Sequence, residues 1–237
     1  MGSTRLPGKV LLDIAGEPML ARVLGRAGRA HTLGELVLAT TTDHADDPIV
    51  ELCRLRGISS YRGHPTDVLD RFYRAAQRFG AEVIVRLTGD CPLLDASVVD
   101  QTVQAFLEAE QPVDMAANRF PGDRTFPIGL DTEVCSFAAL ERAWREARAP
   151  HEREHVMPFL YDPPGRFRVL HVRGDRNLGD LRWTVDTAED LEFVRQVYAH
   201  FSPREDFGWT EVLDLVDAHP EIASINAHVP HKSLREV

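Results

Sequence analysis

The chain of 237 residues reads as an α/β protein with a doubly wound, mostly parallel, Rossmann-like sheet, and three observations predict it. Apolar runs of strand length alternate with stretches of helical period, which implies βαβ units with right-handed crossovers. The run EVIVRLT at 82–88 is apolar almost throughout, as a strand covered by helices on both faces must be. In the stretch Val68–Phe79, residues Leu69, Phe72, Tyr73, Ala76 and Phe79 fall on one stripe at three- and four-residue steps, the pattern of a helix with one buried face.

In order along the chain, strands are expected at 36–41, 58–61, 82–88, 113–117, 132–137, 167–172 and 182–185. Helices are expected at 18–29, 48–56, 68–79, 97–108, 137–146, 187–200 and 210–218. The rhythm loosens at 120–164, where Pro121, Pro127, Pro150, Pro158, Pro163 and Pro164 fall. That stretch is expected to leave the sheet and form an acceptor-binding lid or a subunit contact within a single domain spanning 1–237. The stretch 203–237 offers one helix and no functional signal.

Composition narrows the function. With 43% hydrophobic and 27% charged residues and no long apolar run, the chain has the balance of a soluble globular domain and no membrane segment. No basic-then-apolar segment opens it, so a cytoplasmic location is expected. Its net charge of −10 disfavours a nucleic-acid partner, whose backbone is held by clustered Lys and Arg. An anionic small ligand instead requires a local basic cluster. Cys53, Cys91 and Cys135 are odd in number and widely spaced, which suits reduced core thiols. His151 and His155 lie four apart, but the order His-Glu-Arg-Glu-His does not match the zinc-protease pattern.

Three segments carry the chemistry. The opening run Met1-Gly-Ser-Thr-Arg-Leu-Pro-Gly-Lys9 combines glycines, hydroxyls and two cations. A polyphosphate needs that combination: backbone N–H groups for its oxygens and cations for its charge. In Arg86-Leu-Thr-Gly-Asp90-Cys-Pro-Leu-Leu-Asp95, Asp95 is a helix N-cap, and Asp90 sits in the turn at the C-terminal end of a central strand. Ligands of open α/β sheets bind at that edge, and a carboxylate there can hold Mg²⁺ against phosphate oxygens. In Arg182-Trp-Thr-Val-Asp186-Thr-Ala-Glu-Asp190, Thr187 and Asp190 form a capping box, which leaves Asp186 without a capping duty. Two carboxylates at one sheet edge can share a metal. Cys91 has no His nearby in sequence and is read as a buried thiol.

With these segments in view, GSTRLPGK, VLATT-x-D, RG-x-x-x-DVLDRF, RLTGDCPL, GLDTEV, EREHV and W-x-VDT-x-ED together resemble the cytidylyltransferases, and within them the spore coat polysaccharide biosynthesis protein F group. The resemblance covers about residue 2 to 201. It implies a glycosyltransferase-A-like sheet, Mg²⁺ as cofactor, CTP as donor, a small-molecule acceptor such as an acidic sugar, and a homodimer. By the same resemblance Gly2, Ser3, Arg5 and Lys9 hold the triphosphate, and Asp90 and Asp186 are the metal ligands. Ala39, Thr40, Thr41, Arg62 and Gly63 are expected near the nucleoside, and Asp131, Glu133, Glu154 and His155 near the acceptor or a partner subunit. One departure stands out: relatives place an apolar strand ahead of the phosphate loop, and nothing precedes Met1 here. The sheet is therefore expected to lack its first strand, with the natural start about ten residues upstream.

The expected activity is transfer of CMP from CTP to such an acceptor with release of pyrophosphate, in surface polysaccharide or related biosynthesis. Two alternatives remain. A glycosyltransferase using a nucleotide-sugar would favour an Asp-x-Asp pair after a strand, which is absent at Asp90. A non-catalytic nucleotide-binding subunit would fit the missing strand.

Overall fold

Helix boundaries are set by local chemistry that the sequence carries openly. In the computed structural model, which describes residues 5–231, Lys9–Leu11 forms a single 3-10 turn and leads into a hairpin of β1 (Asp13–Ile14) and β2 (Glu17–Pro18). Then come α1 (Met19–Ala27), β3 (Val37–Thr41), α2 (Asp47–Leu55), β4 (Ser59–Gly63) and α3 (Val68–Phe79). The α3 stripe starts at Asp67, whose carboxylate accepts from the Asp70 N–H at 2.9 Å, and stops at Gly80, whose φ of 66° no other residue adopts cheaply. Beyond it run β5 (Val83–Arg86), α4 (Ala96–Leu107), β6 (Met115–Ala117), β7 (Glu133–Ser136) and α5 (Phe137–Glu146). The chain continues through α6 (Pro150–His155), α7 (Pro158–Tyr161), β8 (Val169–His171), α8 (Ala188–Phe201), α9 (Trp209–Ala218) and α10 (Pro220–Ala223).

Besides the β1–β2 hairpin, the strands form two sheets among the described residues, β3 paired parallel with β4, and a second in the order β5-β7-β6-β8. In the second sheet β6 and β8 are parallel, but β7 runs against both β5 and β6. The arrangement is mostly parallel, as expected: β5, β6 and β8 run the same way, β3 and β4 run parallel to each other, and β7 is the reversed strand. β6 reaches β7 through a connection with no helix in it, and a strand entered that way can pair antiparallel with its predecessor.

Two expectations change. The 120–164 excursion contains β7, an inner strand of the sheet, so only its flanks lie outside; Val134 and Cys135 are fully buried apolar residues, and burial holds that segment in the sheet despite the prolines around it. The 182–185 strand is an extended segment rather than a ladder member. Arg182 bridges Ile128, and the Trp183 N–H donates to the Ile128 carbonyl at 2.7 Å. Gly129 makes that crossing possible. Its φ is 116°, and a Cβ there would sit 2.7 Å from the Trp183 carbonyl carbon.

Helices cover both sheet faces. Val83 and Val85 pack with Ala27 of α1 and Val99 and Val103 of α4, while Ile84 packs on the other side with Leu69, Tyr73 and Ala76 of α3. The third core joins Trp183 and Val185 to α8 and α9 through Phe193, Val197 and Leu213. Among the described residues no helix is long and apolar enough to cross a membrane, and no strand lies between β3 and β5.

Candidate active site

The turn after β5 and the extended segment 182–186 meet because their backbones are tied together. The Val185 N–H donates to the Asp90 carbonyl at 2.8 Å, and the Thr184 hydroxyl donates to the same carbonyl at 3.1 Å. With both backbones fixed, the side chains of Asp90 and Asp186 converge. The Lys9 ammonium donates to Asp90 Oδ2 at 3.0 Å, to Asp186 Oδ1 at 2.8 Å and to the Val185 carbonyl at 2.7 Å. Arg5 adds an ion pair to Asp186 Oδ2 at 3.0 Å. Four of the residues singled out in the sequence therefore stand in one corner, contributed by three distant segments.

Behind this corner lies a second layer of charge. Arg182 donates to Asp186 Oδ2 at 2.8 Å and clasps Asp190 at 2.9 and 3.0 Å. Asp190 is fully buried and accepts from the backbone N–H groups of Asp186 and Thr187, which completes the capping box and fixes the start of α8. Asn226 closes the assembly by donating to the Arg182 carbonyl and to Asp190 Oδ1, each at 2.9 Å.

Burial raises the cost of charge on Asp186, but the Lys9 hydrogen bond and charge, then Arg182 and Arg5, outweigh it and hold the carboxyl below the ordinary carboxylate range. Burial likewise lowers the Lys9 ammonium, and Asp90 with Asp186 more than restores it. Asp186 is therefore ionised at neutral pH, and Lys9 holds the Asp90 and Asp186 carboxylates facing one point. Two carboxylates with free lone pairs fit a divalent cation that takes its other ligands from phosphate oxygens and water. Among the described residues no cluster of three or more His, Cys, Asp or Glu side chains could hold a metal by itself. Such an ion would need the nucleotide to complete its shell.

The remaining sequence expectations fare differently. Gly2 and Ser3 lie outside the described residues. Thr40 and Thr41 stand at the end of β3, and both hydroxyls donate to buried Asp46, at 2.7 and 2.6 Å. Arg62 is spent on structure too, donating to the carbonyls of Thr41 and Asp43 and to Asp47. Gly63 packs so closely that a Cβ would fall 2.9 Å from the Tyr61 ring, and Ala39 faces the gap beside β3. Cys91 is buried, and desolvation with Asp90 beside it pushes its thiol far up, which removes it as a nucleophile.

Next to the corner opens a cavity of about 840 Å³. Arg119, Arg124, Arg182, His151, Tyr161 and His231 are among its lining residues. Asp131 and Glu133, expected near the acceptor or a partner subunit, hold arginines. Asp131 pairs with Arg124 and lies 3.7 Å from Arg119, and Glu133 pairs with Arg86 and lies 4.0 Å from Arg119. Glu154 is exposed and His155 half-buried on α6, and of that helix His151 lines the cavity. The arginines were the missed residues. The signal was a charge register: Arg119 continues β6 beside Glu133 of β7, and a buried carboxylate needs a cation.

Comparison with known proteins decides the family. The sequence model described as cytidylyltransferase matches residues 1–205. This chain belongs to the cytidylyltransferase family. A solved structure of a cytidylyltransferase from Leptospira borgpetersenii is similar to it with a TM-score of 0.91 and 32% identity, covering 98% of this chain and 95% of that one. An uncharacterised protein of Methanocaldococcus jannaschii is 36% identical over 100% of this chain and 95% of its own length. The spore coat polysaccharide biosynthesis protein SpsF of Bacillus subtilis is 29% identical over 94% of this chain and 93% of its own. The cytidylyltransferase match thus takes in all three segments from which the corner is built.

Proposed function

We propose that this cytidylyltransferase transfers CMP from CTP to an acidic sugar or similar acceptor, with Mg²⁺ held by Asp90 and Asp186. The convergence of those two carboxylates on one point beside Lys9 and Arg5 carries the reading. Phosphoryl-type transfer requires positioning and charge neutralisation more than covalent help, and the corner supplies both.

An acceptor oxygen attacks the α-phosphorus of CTP, the bond to the bridging oxygen breaks, and pyrophosphate leaves with the electron pair. Arg5 provides a fork for bidentate phosphate contact, and Lys9 a point charge for the oxygens that gain charge as the bond breaks. Asp90 and Asp186 would hold the ion, which when bound would supply charge neutralisation. Arg182 keeps Asp186 ionised and aimed, and also lines the acceptor cavity, so it joins the two halves of the site. The cavity presents Arg119, Arg124 and Arg182 toward its contents, which supports a carboxylate-bearing acceptor.

The test is pyrophosphate release with Mg²⁺, each of the four NTPs and a panel of acidic and neutral sugars. Release that requires CTP, the metal and an acidic sugar together is expected. Nucleotide-induced stabilisation with no release from any combination would overturn the reading. Arg5→Ala raises the CTP requirement more than the acceptor requirement, which the two KM values measure.

A further inference from the structure

Arg22, Gly25, Arg26 and Arg29 fall at three- and four-residue steps along α1 and the turn after it, so they share one face. Arg56, just past the end of α2, reaches the same face and pairs there with Glu17 of β2. Together with Glu205, on the loop between α8 and α9, these residues line a cavity of about 80 Å³. None of its lining residues belongs to the corner or to the acceptor cavity.

The charges of this cluster do not cancel. Its ion pairs join Arg22 to Glu205, Arg26 to Asp95 and Arg56 to Glu17. Arg29 is left with a backbone carbonyl, that of Glu205 at 2.7 Å, and with no ion pair among the described residues. Burial pulls the Arg26 guanidinium below its ordinary value, the Arg29 charge adds to that, and Tyr198 and Asp95 restore only part. Like charges on one helix face repel, and an anion between them relieves the strain.

Glu205 shows what such an anion looks like. Arg22 donates to its carboxylate at 2.5 Å, and the charges of Arg22, Arg29 and Arg56 hold that carboxyl below the ordinary range. Yet its side chain is 58% exposed and sits on a loop, so it can swing out without uncovering the core.

The shape fits a small ion. Gly25 lies inside a helix, where glycine is destabilising relative to alanine, and a Cβ there would meet no heavy atom within 4 Å. The open space above it has the bulk of about two or three waters at about 30 Å³ each, enough for one tetrahedral oxyanion and too little for a sugar or a base. Arg29 and Arg56 keep N–H groups that no acceptor among the described residues takes, and a guanidinium fork suits phosphate oxygens. Arg22 and Arg26 are held in place by the rings of Tyr198 and Phe207, at 5.0 and 4.7 Å. They also brace the chemistry from behind: Arg22 donates to the Ile14 and Ala15 carbonyls, in the hairpin that follows Lys9, and Arg26 to the Leu94 carbonyl, just beyond Asp90.

We propose that this cavity binds one phosphate-type dianion, inorganic phosphate or the phosphate group of a monoester, which displaces the Glu205 carboxylate from Arg22 and bridges Arg22 to Arg29 and Arg56. The bound ion ties α1, the end of α2 and the loop after α8 together at the rear of the corner.

The experiment follows the backbone amide resonances of Gly25 and Gly28 by NMR while the full chain is titrated with inorganic phosphate, and separately with glycerol 3-phosphate. Sodium chloride keeps pH and ionic strength matched. Both resonances are expected to shift and saturate, which reports this site apart from any phosphate in the corner or excluded from the surface. A shift with inorganic phosphate alone marks the free ion as the ligand, and a shift with both probes marks the terminal phosphate of a larger molecule. Gly25→Met fills the space, and its Gly28 resonance is expected to stay still. Arg29→Gln weakens the apparent Kd by about tenfold or more. Glu205→Gln tightens it by about tenfold, because the competing carboxylate no longer closes the site. No saturable shift on α1 with either probe would overturn the proposal, as would an equal response from the parent and Gly25→Met. Binding to Glu205→Gln no tighter than to the parent would do the same. Should Gly25→Met fail to fold, Arg29→Gln and Glu205→Gln decide, since both positions are exposed. None of these readouts depends on catalysis, so they stand apart from the fate of the CTP reading.

Discussion

Two charged assemblies sit side by side in this protein, and they are balanced differently. In the corner, Arg5, Lys9 and Arg182 face Asp90, Asp186 and Asp190, so the charges cancel and the carboxylates still look outward. Beside the cavity that Arg119 and Arg124 line, those two arginines and Arg86 of β5, which lies outside its lining, are shared between Glu133 and Asp131, which leaves one excess positive charge. There the buried Nε atoms of Arg86 and Arg119 have no hydrogen-bond partner. A neutral assembly with convergent carboxylates is ready for a cation and a polyanion arriving together. One with surplus positive charge and unspent donors is ready for an anion alone.

The comparison breaks most sharply at Asp190. Replacing it with Ala leaves Arg182 buried without its main partner and is expected to cost about 3–5 kcal/mol of stability, read by chemical denaturation. Asp90→Asn touches the same corner from its open side: the fold stays intact and turnover falls about 10²–10³-fold in the pyrophosphate assay. Turnover within a few-fold of the parent would remove Asp90 from the chemistry. On the cavity side, Arg119→Lys keeps the charge but loses the fork. It is expected to raise the KM for an acidic acceptor by about tenfold or more with the KM for CTP unchanged.

The smallest effect is a pH dependence in the cavity wall. Burial works against charge on Asp131, but Arg124 and Arg119 outweigh it and hold its carboxyl low. The stability this provides is fully present above the ordinary value near 4 and is lost as pH falls through the lower native value. The difference in unfolding midpoint between the parent and Asp131→Asn is therefore expected to stay constant above about pH 5 and to shrink below about pH 4.

Where the sequence was legible, one physical signal dominated a segment. α3 lies where its apolar stripe puts it, and Asp90 and Asp186 could be singled out because Asp95 and Asp190 already had capping duties. Where two signals competed, the reading failed. The prolines of 120–164 suggested an excursion, yet Pro150 and Pro158 open α6 and α7, where a missing N–H costs nothing. The β1–β2 hairpin turns through Ala15 and Gly16, at φ 53° and 84°, and its two-residue strands are too short to show a period. Arg119 and Arg124 escaped notice because their roles come from partners on a neighbouring strand rather than from any local motif.

The amide of Asn226 reaches the carboxylate that steadies Arg182, although this residue lies some twenty positions past the end of the family match at 205. A version trimmed to that boundary would keep each acid and base of the corner and discard the clamp at its back. Such a truncate should bind nucleotide less tightly than its intact catalytic roster suggests, so the segment that carries Asn226 belongs to the machinery rather than to its packaging.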